Sequence, residues 1–460
     1  MVMALPFEVE ILEICQISPP PSSVSTTSLP LTFFDLSWLD FPPIKSLYYY
    51  QLHQPKDYLL NTILPNIKHS LSLTLQHFFP LAGQLTWPKD STTPAFLYTE
   101  GDSVTFTVAE CNYDFEHLSG SQLKNAEELY PLAPSFELSD DKRVPLLAVQ
   151  VTLFPDKGIC IGTIFNHVAA DGRSIHHFIR SWAAFCKSQG DNTDITSVVM
   201  EPLPFHDRAM VNDKNGIEKI KLKDLEAMNI TRETYHISKA PVVPINKVRG
   251  TFIMSNSDIN KLKQWVSSRV EKEKQTHYLS TFVIICSYIW VCAVKARPKN
   301  VGDQKEHFLI SADCRGRLDP PLPLTYFGNC IGGFFVKCDT SELIGENGIA
   351  IAAELIGKSI VNLDDELWGI MQKGLSFYKT MPWGKVVAVS GSHKFAPYET
   401  DFGWGKVKKK EVSSIDAGGA ISLTDGPNGN GSVEISLVRD ATDMEAFASL
   451  FTNTLHSLTS

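Results

Sequence analysis

The 460-residue sequence predicts an α/β protein built as two similar lobes, and three observations carry that prediction. Residues 1–190 alternate strand-like and helix-like patterns, and the alternation returns in the second half of the chain. Between them, residues 190–250 carry Pro202, Pro204, Pro241 and Pro244, mixed charge and little sustained period, as a long crossover would. The strand–turn–helix pattern of 159–187 is echoed near the C-terminus, but without a histidine at the turn. The expected division is 1–205 for the first lobe, 206–250 for the linker and 251–460 for the second lobe. At about 150 residues per unit, this length holds two or three units.

Each element has its own signal. Leu29–Leu39, LPLTFFDLSWL, is aromatic and aliphatic and follows a proline-rich segment. Ile67, Leu71, Leu75 and Phe78 recur as one face of a helix, with Pro65 at an early position or a kink, because interior proline loses a backbone hydrogen bond. Leu146–Phe154 and Ile159–Asn166 flank Pro155-Asp156-Lys157-Gly158, which reads as two strands around a turn. HVAADG follows, then a helix marked by Ile175, Phe178, Ile179, Trp182 and Phe185. The crossover has room for one short helix. Phe282–Val294 is the most apolar run and reads as a buried helix, since spanning a bilayer takes about 20 residues. GPNGNG at 426–431 reads as a hairpin tip. Val433–Val438 reads as a strand, and Thr442 with Glu445 fits a capping box before the helix of Met444, Phe447, Phe451 and Leu455.

Composition narrows the class. Hydrophobic residues at 43% and charged residues at 20% are ordinary for a soluble globular protein and exclude disorder. The net charge of −9 speaks against nucleic acid as a partner, since such proteins carry a basic excess on the working face. Nine scattered cysteines without CxxC spacing read as reduced, buried thiols, and the acidic N-terminus lacks a targeting pattern. A cytoplasmic protein with no membrane association is expected.

The sequence lacks HExxH, GxSxG and GxGxxG, so zinc hydrolysis, serine-ester hydrolysis and dinucleotide chemistry start from low expectations, and no metal is expected. His167 stands where a buried strand runs out, a place where a neutral imidazole can accept a hydroxyl proton near pH 7. Asp171 either orients that imidazole or locks the turn, and Gly172 permits close packing. Taken alone, the pair is also compatible with a satisfied core histidine and an Asx-type turn. Asp401, Phe402, Gly403, Trp404 and Gly405 form a second constellation, which reads as structural: a ring in a fixed slot, anchored by Asp401. The run Lys406, Lys408, Lys409 and Lys410 reads as a solvated strand edge or a face toward an anion.

HVAAD at 167–171 and DFGWG at 401–405 together resemble the plant BAHD acyl-CoA-dependent acyltransferases. The resemblance extends over LTFFD (31–35), FFPLAGQL (78–85), AVQVTLFP (148–155), ADCRGRLDPPLP (312–323) and YFGNC (326–330). YFGNC points to the branch that acylates the sugars of anthocyanins, flavonoids and related phenolic glycosides. The resemblance implies two lobes like those of chloramphenicol acetyltransferase, each a mixed sheet flanked by helices, with a solvent channel between them and part of the second half crossing to the first lobe. It also implies a monomer with no permanently bound cofactor, taking acyl-CoA as co-substrate and a glycoside as acceptor.

For the residues, the resemblance implies His167 as general base, Asp171 in a structural role paired with Arg315, and DFGWG shaping the CoA side. Lys261, Lys263, Ser280, Thr281, Ser392 and Lys394 occupy positions similar to CoA-contacting segments. Helix caps and surface lysines are the alternative for the first four. Where the family often has SPK, this chain reads Ser392-His393-Lys394, and the histidine removes a backbone restraint. Malonyl is the favoured acyl group, with Arg180 and Arg173 as candidates for its carboxylate; an exposed helix residue is the alternative reading of Arg180. Hydroxycinnamoyl or acetyl donors, an alkaloid or terpenoid alcohol acceptor, and a non-catalytic CoA-ester-binding protein are the alternatives.

Overall fold

A computed structural model describes residues 7–136, 143–188, 202–236, 245–270, 279–297 and 304–459. Its first sheet has six strands in the order Val9–Ile17, Val104–Cys111, Leu147–Phe154, Gly158–Phe165, Ile44–Gln51 and Lys409–Val412. Neighbours are antiparallel except Val104–Cys111 with Leu147–Phe154. Every residue of Leu147–Phe154 and Gly158–Phe165 is buried, which explains their continuous apolar runs. One face packs on helices Leu64–Leu75 and Gly172–Lys187 through Ile67, Leu71, Phe178 and Trp182. The other packs on Phe115, Leu118, Leu129 and Leu132.

The second sheet has seven strands: Ile331–Asp339, Lys305–Asp313, Val386–Ser392, Ile421–Asp425, Val433–Asp440, Lys247–Met254 and Lys124–Asn125. It mixes parallel and antiparallel pairs. Its core draws on helices Asn256–Ser267, Thr281–Lys295, Gly348–Val361 and Ala441–Thr459. A small four-stranded sheet joins Thr27–Pro30, Ala95–Tyr98, Gln84–Thr86 and Val144–Pro145. The fold class is the one expected: mixed sheets flanked by helices, in two units. Residues 426–431 do join two antiparallel strands.

The halves exchange edges. Lys409–Val412, from the second half, pairs with Ile44–Gln51 of the first sheet, and Lys124–Asn125, from the first half, pairs with Lys247–Met254 of the second. At this seam Arg249 bonds Glu411 at 2.8 Å and Asp416 at 2.5 Å, while Lys409 bonds Glu434 at 2.8 Å, all of them buried.

Local expectations shift accordingly. Lys409 and Lys410 are buried rather than on a solvated edge, because their strand is covered on both faces. The terminal helix starts at Ala441, so Thr442 and Glu445 lie within it rather than closing a capping box at its start. Helical structure begins at Lys56, ahead of the periodic face, and a π turn at Leu59–Ile63 precedes Pro65, whose missing N–H a wide turn accommodates. The segment read as linker holds helix Ile217–Ala227 and the start of strand Lys247–Met254, and its residues 237–244 lie outside the described residues.

Candidate active site

Strand Gly158–Phe165 delivers His167 to its end, and helix Gly172–Lys187 starts at the following turn with Asp171 as N-cap. The Asp171 carboxylate accepts four hydrogen bonds. Oδ1 accepts from Ser174 N–H (2.9 Å) and Arg315 Nη2 (3.1 Å), and Oδ2 from Arg315 Nη1 (2.8 Å) and Cys330 N–H (3.0 Å). Burial pushes its carboxyl up, but the Arg315 guanidinium and these backbone donors outweigh burial and hold it below the ordinary value. None of these bonds reaches His167. All four hold the turn to the helix start, to Arg315 and to the Cys330 backbone.

The turn is held from three distant motifs. Asn329 Nδ2 donates to the His167 and Val168 carbonyls at 2.8 and 2.9 Å. Asp35 accepts from the Asn329 backbone at 3.0 Å and from buried Arg208 at 2.9 Å, and Arg208 also donates to the Tyr326 hydroxyl at 2.9 Å. The Gly328 carbonyl accepts from Ser174 Oγ at 2.9 Å; Gly328 has a φ of 151°, which other residues rarely adopt, and a Cβ there would lie 2.4 Å from Arg208 Nη1. LTFFD, YFGNC and ADCRGR thus converge on HVAAD.

The His167 ring stacks on Trp38 at 3.7 Å and 7°, with Phe41 edge-on at 5.5 Å. Nδ1 is buried without a hydrogen-bond partner, while the residue as a whole stays partly accessible. Burial lowers the imidazole pKa to about 4, so the ring is neutral at pH 7. It can take a proton there. Beside it opens a small cleft lined by Phe41, Asn166, Val168, Thr234, Tyr235 and His236, among others.

The remaining expected residues fall into separate places. Arg173 pairs with Asp313 at 2.9 Å, and Arg180 donates to the Phe395 carbonyl at 2.8 Å. Ser392 and Lys394 begin the loop that carries Phe395, whose ring sits where a Cβ on Gly172 would be, at 2.8 Å. Asp401 accepts from Gly403 and Gly405 N–H and pairs with Lys187 at 2.6 Å, tying DFGWG to the far end of the Asp171 helix. Phe402 is buried against Trp404, Trp182 and Tyr50. Ser280 caps helix Thr281–Lys295 by accepting from Val283 N–H, and Lys261 and Lys263 are exposed on helix Asn256–Ser267. Ser280, Lys261, Lys263 and Thr281, the first residue of its helix, stand outside the network around Asp171. Asp35, Trp38, Arg208, Tyr326 and Asn329 were not singled out from sequence; LTFFD and YFGNC contained three of them, but nothing in their spacing named a partner.

Among the described residues no cluster of His, Cys, Asp and Glu is arranged to hold a metal, and no helix is long and apolar enough to cross a membrane. All nine cysteines are free and eight are buried.

The fold is similar to the crystal structure of Vinorine Synthase, with a TM-score of 0.68 at 22% identity over 98% of each chain. The sequence is 37% identical to a malonyl-coenzyme A:anthocyanin 3-O-glucoside-6''-O-malonyltransferase of Dahlia pinnata, covering 97% of both chains. It is also 37% identical to phenolic glucoside malonyltransferase 1 of Nicotiana tabacum, over 90% of this chain and 91% of that one. The model of the Transferase family matches residues 7–454. With His167, Asp171 and Arg315 held together by motifs from both halves, the chain belongs to that family, the BAHD acyl-CoA-dependent acyltransferases.

Proposed function

We propose that this acyltransferase moves a malonyl group from malonyl-CoA to a sugar hydroxyl of a phenolic or flavonoid glycoside, with His167 as general base. The observation that carries the mechanism is the neutral imidazole at the strand end, stacked on Trp38 and still partly accessible. The names of the two malonyltransferases similar over nearly full length support the donor and acceptor class.

The sugar hydroxyl gives its proton to Nε2 as its oxygen attacks the thioester carbonyl. The tetrahedral intermediate collapses by breaking the carbon–sulfur bond, and the imidazolium returns the proton to the thiolate, releasing CoA. Donor and acceptor are bound together, and no acyl-enzyme forms. The buried cysteines have no part in it; burial raises Cys160, Cys286 and Cys330 far above the usual thiol range. A neutral histidine costs nothing to deprotonate before reaction, and Trp38 restrains the plane of the ring. A cytoplasmic, monomeric enzyme completes the reading.

A phenolic glucoside incubated with equal malonyl-, acetyl- and coumaroyl-CoA, with products read by mass, tests the donor. The malonyl ester is expected to dominate. A coumaroyl or acetyl ester in its place overturns the donor assignment.

A further inference from the structure

Strand Lys409–Val412 is charged on both faces, and only one of them is neutralised. Lys409 and Glu411 face the seam, where Glu434 and Arg249 pair with them. Lys410 faces the other way, directly across the strand pair from Tyr48, on the side covered by helix Gly172–Lys187. It is 8% exposed, and among the described residues its ammonium makes no hydrogen bond or ion pair. The carboxylates whose fields it feels are Glu434, Glu411 and Asp425. The first is bonded by Lys409 and Tyr398, the second by Arg249 and the third by Thr424. Burial lowers the Lys410 ammonium to about 8, so the group still carries its proton at pH 7. A buried, uncompensated cation is costly, and an anionic ligand meeting it would offset that cost.

The surroundings fit such a ligand. The Tyr48 hydroxyl is a donor without a partner among the described residues. His176 and Arg180, one helical turn apart, complete the wall: the charges of Lys410 and Arg180 both act on His176, and that of Arg180 on Tyr48. His176 Nδ1–H donates to the Gly172 carbonyl, so its ring adds no negative charge. Phe395 stacks on His176 at 4.8 Å and packs against Gly172, beside Asp171, which links this wall to the His167 turn. His176 lies about 7.5 Å along the helix from Asp171.

We propose that Lys410 and the Tyr48 hydroxyl, backed by Arg180, form an anion pocket for the free carboxylate of a dicarboxylic acyl donor, which makes Lys410 a specificity-determining residue. This rests on the malonyl reading above. A charge-assisted bond from a buried ammonium is worth more than a neutral one, and it discriminates against a donor that lacks the carboxylate.

The test compares wild type with Lys410→Met, Lys410→Arg and Tyr48→Phe, using malonyl-CoA and acetyl-CoA, which share the CoA phosphates and differ in the carboxylate. Lys410→Met is expected to lower kcat/KM for malonyl-CoA about tenfold or more and to move that for acetyl-CoA less than about twofold. Lys410→Arg should keep most of the malonyl activity, and Tyr48→Phe should lose about threefold with malonyl-CoA alone. An equal loss with both donors would assign the cation to CoA phosphate or to folding and overturn the proposal, as would unchanged malonyl transfer. Should Lys410→Met fail to fold, Tyr48→Phe decides by the same donor difference. Titration calorimetry without acceptor separates the two readings. If malonyl-CoA binds tighter than acetyl-CoA in wild type and that difference vanishes in Lys410→Met, the pocket stands even if malonyl is not transferred. If malonyl-CoA shows no such advantage in wild type, the pocket falls, whichever acyl group is transferred.

Discussion

Trp38 lies flat on the His167 ring, and burial lowers that imidazole from 6.5 to about 4. The sign matters for activity. A base with a lowered pKa stays unprotonated to lower pH, so kcat/KM should be flat from about pH 8 to about pH 6 and fall only near pH 4–5. A pH–rate profile with an acid limb centred on 6.5 would contradict this environment for the reacting histidine. His167→Ala should lose about 10²–10⁴ in rate with an unchanged thermal midpoint; near-normal transfer by the folded variant would sink the general-base assignment. His167 was legible from its place at a strand end and from its motif. Trp38 and Asn329 were not, because their roles exist only where residues 38, 167 and 329 meet. Asn329 reaches Asp35 across 294 positions.

Helix Gly172–Lys187 carries most of the site at the level of elements. Its N-terminus is capped by Asp171 and bolted through Arg315 to the second half, and its last turn is tied by Lys187 to Asp401. Amphipathic spacing alone revealed its existence and its buried face, Phe178 and Trp182 included. What Asp171 bonds was not legible from that spacing, and the resemblance supplied the arginine. Asp171→Asn removes one charge of a fully buried pair, so it should cost about 3–5 kcal/mol of stability along with activity. Chemical denaturation beside an activity assay checks this; lost activity in a fully stable protein would assign Asp171 a direct part in the chemistry. The terminal helix shows the limit of local signals, since Thr442 and Glu445 have capping-box spacing but lie inside a helix that the preceding strand feeds directly at Ala441.

For the whole molecule, the seam of exchanged strands holds the two halves together. Arg249 is buried between Glu411 and Asp416, and burial lifts the Asp416 carboxyl to about 7 even with the guanidinium beside it. Arg249→Met would strand Glu411 and should destabilise the fold by about 3–5 kcal/mol, measured by urea unfolding. A variant as stable as wild type would show that the seam is held by packing alone. By itself the sequence determined the alternating elements, the two-lobed class, the buried apolar strands and the positions of HVAAD and DFGWG, because periodicity and motif are properties of neighbouring residues. The tertiary structure alone decided that Lys409 and Lys410 are buried, that Lys409 is paired while Lys410 faces the opposite side, and that Asn329 grips the histidine turn. The physical reason is that a charge or an amide takes its meaning from the group it meets, and here those groups come from strands and turns far away in the chain.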